Sequence, residues 1–470
     1  MPRGLSYSVM NSLARIKHLY ARAGFGLNVD KLAQYQRLSV KHAVDELFRS
    51  SDFSQPLSLL TANQTYQMAD RADKTDTLTR KMFLQEQRQQ EKDLNLAWLN
   101  QMSSTEAVLR EKMVLFWHNH FACRTQNPWY AQQLNNIQRD NALGNFKTLL
   151  LQVSQSPAML QFLNNQQNRK GHPNENFARE LMELFTIGRG NYTEQDIKES
   201  ARAFTGWGFN NKGEFVMRAG QHDDGSKTFM GQSGNFKGED IIDIILQKKQ
   251  TAVFICTKLY RYLVNDTPDK AHVNAMADLL YNGNYELSPV LKYVFTADWF
   301  YAPANVGNLI KSPIDLIVGL NRQFYITYNN PEVMMQFERA LGQVLFYPPN
   351  VAGWPGGKNW IDSSSLMYRL KIPSTVLNNG IIDFHGKADP EDEALLAGMP
   401  NRKQVKTQAQ STADWDKFLA GIPKGTTKEQ VAEVLLSPEI NSNLKSVIVQ
   451  SGSIKSMVVE LVSTPEYQLC

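Results

Sequence analysis

Cysteine is scarce: the 470 residues hold three, Cys123, Cys256 and Cys470. Being odd in number and far apart, they exclude a disulfide framework or a thiolate zinc site. No stretch approaches the roughly 18 consecutive apolar residues that a membrane-crossing helix needs. No sign of charge dominates either. Lysine and arginine number 50 against 46 acids, a net +4, too small an excess to imply a nucleic-acid or anionic-membrane partner. The opening MPRGLSYSVMNSLARIKHLYARAGFG lacks the apolar core of about 7–15 residues expected of a secretory signal. On sequence alone, the chain is therefore expected in the cytoplasm. G-x-S-x-G, the P-loop, G-x-G-x-x-G after a strand and H-E-x-x-H are all missing, and with them the familiar signatures of several enzyme classes.

With 42% hydrophobic and 10% aromatic residues, the composition is that of a folded protein. Apolar spacing predicts helices at 8–22, 39–49, 78–102, 104–119, 130–140, 145–154, 175–187 and 194–205. Others follow at 238–246, 249–264, 270–281, 287–296, 312–325 and 331–341. Between 206 and 236 the pattern alternates and is rich in glycine, which predicts one small β-hairpin with AGQHDDGS (219–226) as its loop. FYPPNVAGWPGGKNWIDSSS (346–365) can be neither helix nor central strand. The expected fold is mainly α, a multi-helix globular bundle with this single insert. A main domain over 1–385, a polar loop or linker over 386–412 and a helical segment over 413–470 packed on the main domain complete the expectation. A short pattern recurs at helix ends, in LFRSSDFS (47–54), VFTADWFY (294–301), LLSPEINS (435–442) and LVSTPEYQ (461–468). It reads as a helix stop, a side-chain cap and a hydrophobic plug.

The segment densest in chemistry is NRKGHPNENFARELMELFTIGRGNYTEQDIKESARAFTGW (168–207). Asn174 is suited to cap a helix and Gly188 to end it in the left-handed region. At 100° per residue, Glu175, Arg179, Glu180 and Glu183 fall on the polar arc, with Glu175, Arg179 and Glu183 at i, i+4 and i+8. A solvated ion-pair ladder would look like this. So would a carboxylate cluster serving as acid and base or as metal oxygens, with Arg179 holding an anion. Arg169, Lys170 and His172 precede the helix N-terminus, a natural place for phosphate or sulfate.

FWHNHF (116–121) carries two histidines that a helix turns away from one another. His120 is expected as a satisfied core histidine; His118 is open to a role as catalytic acid. On the inferred loop, His222 and Asp223 are candidate metal donors and Lys227 a candidate substrate contact, whereas Asp224-Gly225 is a turn signal. Trp354 and Trp360 would suit a stacking platform for a substrate, although a tryptophan in such a loop more commonly plugs it onto the domain.

In order along the chain stand HLYARAGFG (18–26), LREKMVLFWHNHFA (109–122), the 168–197 segment, ARAFTGW (201–207) and QHDDGSKTFMGQSGNFKGEDIIDIIL (221–246). KSPIDLIVG (311–319), GQVLFYPPNVAGWPGGKNWI (342–361) and STPEYQLC (463–470) follow. This combination resembles the bacterial domain-of-unknown-function 1800 family from end to end. The resemblance implies a predominantly helical fold and carries no established reaction or catalytic residues. It also implies genomic neighbours similar to sulfatases and phosphatases. Many members are exported, and this chain departs from them in showing no signal.

The leading expectation is a hydrolase-like enzyme for an anionic or glycan-like substrate, with a divalent metal as a candidate cofactor. Glu180, Glu183, His118 and His172 would act as acid, base or donor. Arg169, Lys170, Arg179, Lys227, Trp354 and Trp360 would hold substrate, and His222, Asp223 and Glu175 a metal. The alternative is a non-catalytic helical accessory protein working with a sulfatase/phosphatase-like partner.

Overall fold

The computed structural model describes residues 10–61, 77–382 and 409–470. Short polar side chains set most of its helix starts by accepting a backbone N–H that the first turn leaves unpaired. Asn11, Ser39, Asn145 and Ser156 do this for Ser12–Ala23, Val40–Ser50, Phe146–Gln155 and Pro157–Phe162. Asn127 and Ser312 cap Pro128–Asp140 and Pro313–Phe324, where proline occupies the first helical position. Thr193 and Asp196 form a reciprocal capping box at Glu194–Ala203. These helices, with Thr77–Ser104, Val108–His120, Lys249–Leu263 and those that follow, make the protein mainly α, as the apolar spacing predicts.

Strands are short and antiparallel. β1 (Trp207–Phe209) pairs with β2 (Phe215–Met217), and β3 (Lys227–Phe229) with β4 (Gln232–Gly234). Two hairpins thus replace the single predicted one, and 219–226 connects them instead of closing either. The second closes through Met230 and Gly231, both at positive φ (48° and 84°), the geometry of a two-residue hairpin turn. Methionine is an unusual first residue for such a turn, so nothing in the sequence flagged it. A third sheet, in the order β5 (Thr327–Tyr328), β7 (Ala409–Thr412), β6 (Ile381–Ile382), draws its central strand from the end of the stretch expected as linker. The rest of that stretch lies outside the described residues.

Buried side chains from Ile16 to Tyr467 form one continuous apolar cluster. The recurring helix-end pattern contributes two plugs. After Leu287–Thr296 and Ile454–Val462 the chain turns through Asp298–Tyr301 and Glu466–Gln468, burying Phe300 and Tyr467. The equivalent Phe53 is 73% exposed, and Asn441 instead caps Ser442–Gln450. The plug therefore holds in two of the four copies.

Within this interior sits a fully buried ion pair. Arg139 donates to Glu111 through Nε at 2.7 Å and Nη2 at 3.1 Å. Glu111 also accepts from Trp98 Nε1 at 2.8 Å and Gln101 Nε2 at 2.9 Å. Arg110 donates to the carbonyls of Ser51, Asp52 and Arg139. The motif LREKM thus ties Thr77–Ser104, Val108–His120, Pro128–Asp140 and the 51–52 turn together. Removing one partner of such a pair strands a buried charge. Glu111→Gln should cost about 3–5 kcal/mol of unfolding free energy in a urea titration, far more than an exposed change such as Glu433→Gln.

Glu338 is buried without an ion pair among the described residues; Asn95 Nδ2 donates to it at 2.7 Å. Burial pushes its carboxyl up to about 8. The native state favours the protonated form, so its contribution to stability is fully present below the ordinary carboxylate range and is lost as pH rises toward about 8. Glu338→Gln removes that titration. Its melting temperature should gain on the wild type between pH 5 and about 8 and level off above; parallel profiles would refute the assignment.

Candidate functional site

The 175–187 helix begins as predicted and then changes pitch. Asn174 Oδ1 accepts from Asn176 N at 3.0 Å, and the chain is α-helical over Asn176–Glu180 but π-helical over Leu181–Thr186. The last turn of a helix leaves carbonyls with no partner in the ladder. Side chains take them up: Thr186 Oγ1 donates to Leu181 O at 2.5 Å, Lys258 Nζ to Leu184 O at 2.9 Å, and His120 Nε2 to Phe185 O at 3.0 Å. Gly188 ends the turn at φ +83°, where a Cβ would lie 2.8 Å from the Phe254 ring, so glycine is required twice over.

The wider turn breaks the ladder expected at i, i+4 and i+8. Arg179 pairs with Glu175 at 3.2 Å and with both oxygens of Glu194 at 2.9 Å. Glu183 pairs instead with Arg189 and accepts from Tyr192 Oη at 3.1 Å. Glu180, half-buried beside it, makes no hydrogen bond or ion pair among the described residues. Burial and then the charge of Glu183 raise its carboxyl above the ordinary value, with Arg179 and Arg189 opposing. Two carboxylates in unlike environments therefore share this face, one bonded to Arg189 and Tyr192 and one unpaired and biased toward its proton.

Arg169, Lys170 and His172 are exposed on a tight turn through Gly171. Lys170 N donates to Gln221 O at 2.8 Å, docking this turn on the segment between the hairpins. Asn168, buried beneath it, donates to Ala201 O at 2.8 Å and accepts from Asn174 N at 2.9 Å. In that connecting segment Asp223 accepts from Arg202 through both oxygens, at 2.8 and 3.3 Å. This bidentate bond holds its carboxyl down at about 2. Lys227 is buried, its amine spent on the carbonyls of Asp223 (2.5 Å) and Gly225 (3.0 Å); it closes the loop rather than facing a substrate. His222 Nδ1 lies 2.9 Å from Thr205 O, and its buried Nε2 has no partner. Among the described residues no group of three or more His, Cys, Asp or Glu side chains is arranged to hold a metal ion, so His222, Asp223 and Glu175 do not form the set expected of them.

The end of Val108–His120 works as a three-pronged clip. His118 Nε2 accepts from Phe346 N at 3.0 Å, and its ring packs against Trp98, Phe346 and Trp354. Burial pulls its pKa down to about 3, which keeps it neutral and structural. Asn119 Oδ1 accepts from Trp354 N at 2.7 Å. His120, with Nε2 on Phe185 O and Nδ1 3.2 Å from Lys258 Nζ, is the satisfied core histidine expected. Trp354 and Trp360 are buried plugs of the 346–365 loop, leaving little ring surface for stacking a ligand.

Reading the sequence missed Arg189, Tyr192, Arg202, Lys258 and Asn168. Glycine-flanked Arg189 looked local, and only the tertiary fold brings Lys258 under the π turn.

A mainly helical protein with a charged face on an irregular helix is the class that this geometry defines. The chain matches the family described as "Protein of unknown function (DUF1800)" over residues 18–469, and it belongs to that family. No curated protein and no solved structure matches it. None of the helices among the described residues is long and apolar enough to cross a membrane.

Asn168→Ala should lower stability by about 1–3 kcal/mol, the cost of unpaired buried groups. Hydrogen exchange at Asn174 should accelerate well beyond that of the Pro128–Asp140 helix. Uniform acceleration would mean that Asn168 does not organise the turn.

Proposed function

We propose that this chain is a hydrolytic enzyme for an anionic or glycan-like substrate, with Glu180 as proton donor and Glu183 as general base. The observation that carries the proposal is the contrast between them: Glu180 half-buried and unpaired, Glu183 held by Arg189 and Tyr192. In such a pair the protonated carboxyl delivers its proton to the leaving-group oxygen while the ionised one draws a proton from water. Exposed Arg169 and Lys170, with no side-chain partner among the described residues, are free to meet a negative group. Arg179 is already neutralised by Glu175 and Glu194 and is a poorer anion contact. The reading needs no metal at Glu175, His222 and Asp223.

That mutual pairing of Arg179 also favours a second reading, in which the face is an interface of a non-catalytic accessory protein. Its partner would be the sulfatase/phosphatase-like one, and association at micromolar concentration would support it.

The test is a panel of aryl glycosides, phosphates and sulfates assayed with wild type, Glu180→Gln and Glu183→Gln. Wild type should turn over at least one class. Glu180→Gln should lower kcat about 10²–10⁴-fold with an unchanged melting temperature. The wild-type rate should fall on the alkaline side as Glu180 loses its proton, and the variant should lack that limb. Turnover undiminished in Glu180→Gln, or none by the wild type, would sink the assignment.

A further inference from the structure

Away from the Glu180 face, a small, partly open cleft is lined by Lys17, Phe25, Lys311, Asp315, Gln323 and Ser437, among others. Its chemistry is lopsided. The Lys311 ammonium has no hydrogen-bond acceptor among the described residues; its close contact is the Tyr467 ring, 3.6 Å from Nζ to centroid. Asp315 makes no hydrogen bond to it and is bonded elsewhere. One Asp315 oxygen takes Lys112 Nζ at 2.5 Å, and the other takes Ser312 N and Oγ at 3.1 and 2.9 Å. Lys17 Nζ gives bonds to the carbonyls of Glu433 and Leu436, both at 2.6 Å, which leaves one of an ammonium's three protons unused.

Further cations lie within electrostatic reach of Asp315. Arg22 and Arg369 are 1% and 0% exposed. Nε and Nη1 of Arg22, and Nε and Nη2 of Arg369, have no partner. Asp315 acts on both, and on Lys311. The other negative groups that reach them are Asp266, which acts on Arg22, and Cys470, which acts on Arg22 and Lys311. Burying cations without matching anions is unfavourable, and the five cations Lys17, Arg22, Lys112, Lys311 and Arg369 outnumber the groups Asp315, Asp266, Cys470 and Glu433 that act on them, so this region has room for further negative charge. Neutral donors complete the lining. Gln323 uses its oxygen on Tyr467 Oη at 2.7 Å, leaving its amide N–H free, and the Ser437 hydroxyl has no partner among the described residues. At Gly26, φ is +104° and a Cβ would lie 2.9 Å from Gln323 Nε2; any side chain there would displace that amide.

We propose that this cleft binds a tetrahedral oxyanion, phosphate or sulfate, free or as the end group of an ester, through Lys311, Lys17, Gln323 and Ser437. The ammonium groups supply charge-assisted bonds and the two neutral donors fix orientation. Burial, with the charges of Arg369 and Lys112 adding to it and Cys470 and Asp315 opposing, lowers Lys311 to about 8, and a bound oxyanion offsets that effect.

The test is calorimetric titration of the full chain with sodium phosphate, sodium sulfate and phenyl phosphate. Saturable binding of at least one is expected, weakened about tenfold or more in Lys311→Gln and kept in Lys311→Arg. Phenyl phosphate binding tighter than inorganic phosphate assigns the site to an ester; the reverse assigns it to the free ion. Should Lys311→Gln fail to fold, Ser437→Asp places a negative charge in the cleft without removing a partnered group, and it should abolish binding. Absence of saturable binding to the wild type at millimolar concentration, or equal affinity in Lys311→Gln and Ser437→Asp, overturns the proposal.

Discussion

Glu111 and Arg139 exchange two hydrogen bonds at a point where three helices and a turn meet, and neither side chain is reached by water. The cost of burying either charge alone is what gives this contact its authority. It fixes Val108–His120 against Thr77–Ser104 and Pro128–Asp140 in a single arrangement, with Trp98 and Gln101 satisfying the remaining carboxylate capacity. An apolar interior of this size could be packed in several ways; a bidentate ion pair with two further donors tolerates one.

Because that helix is fixed, its last turn is fixed too, and three consecutive side chains on it reach three different segments. His118 receives the amide of Phe346, Asn119 that of Trp354, and His120 donates to the carbonyl of Phe185. The last contact matters most for the candidate site. With Lys258 and Thr186 it satisfies carbonyls of the π turn, three buried or half-buried acceptors at the helix end. The π turn in turn separates Glu183 from Arg179 and leaves it to Arg189 and Tyr192, while Glu180 stays half-buried and unpaired. The unequal environments of the two carboxylates thus trace back, through the π turn, to the helix that the buried ion pair holds in place.

Helix positions were the most legible feature of the chain. Apolar residues recur at helical spacing, and caps such as Ser39, Asn127, Thr193 and Ser312 stand just before the periodic runs. Such signals are local and survive without knowledge of the partner surface. The β insert was legible as to place but not as to pairing, because the Met230-Gly231 turn carries no standard signature. The site was half legible. Glu180 and Glu183 could be picked out as a polar pair on one face, but their inequality could not. It depends on a helix of changed pitch, whose last carbonyls bond side chains some 65 and 74 residues away in sequence.

The sequence by itself determined the class of fold, the place of many helices, the stop at Gly188 and family membership, because periodicity, capping and ordered motifs are written in neighbouring residues; it missed Pro157–Phe162 and Ser363–Leu377, the second of which starts inside the stretch expected to be non-helical. Tertiary structure alone decided which charges find partners. Lys227 and Asp223 look as available as Lys311 in the sequence; folding spends the first two on loop carbonyls and on Arg202 and leaves Lys311 lining a cleft. A side chain's type states what it can bond, and only its surroundings decide whether that capacity is already used.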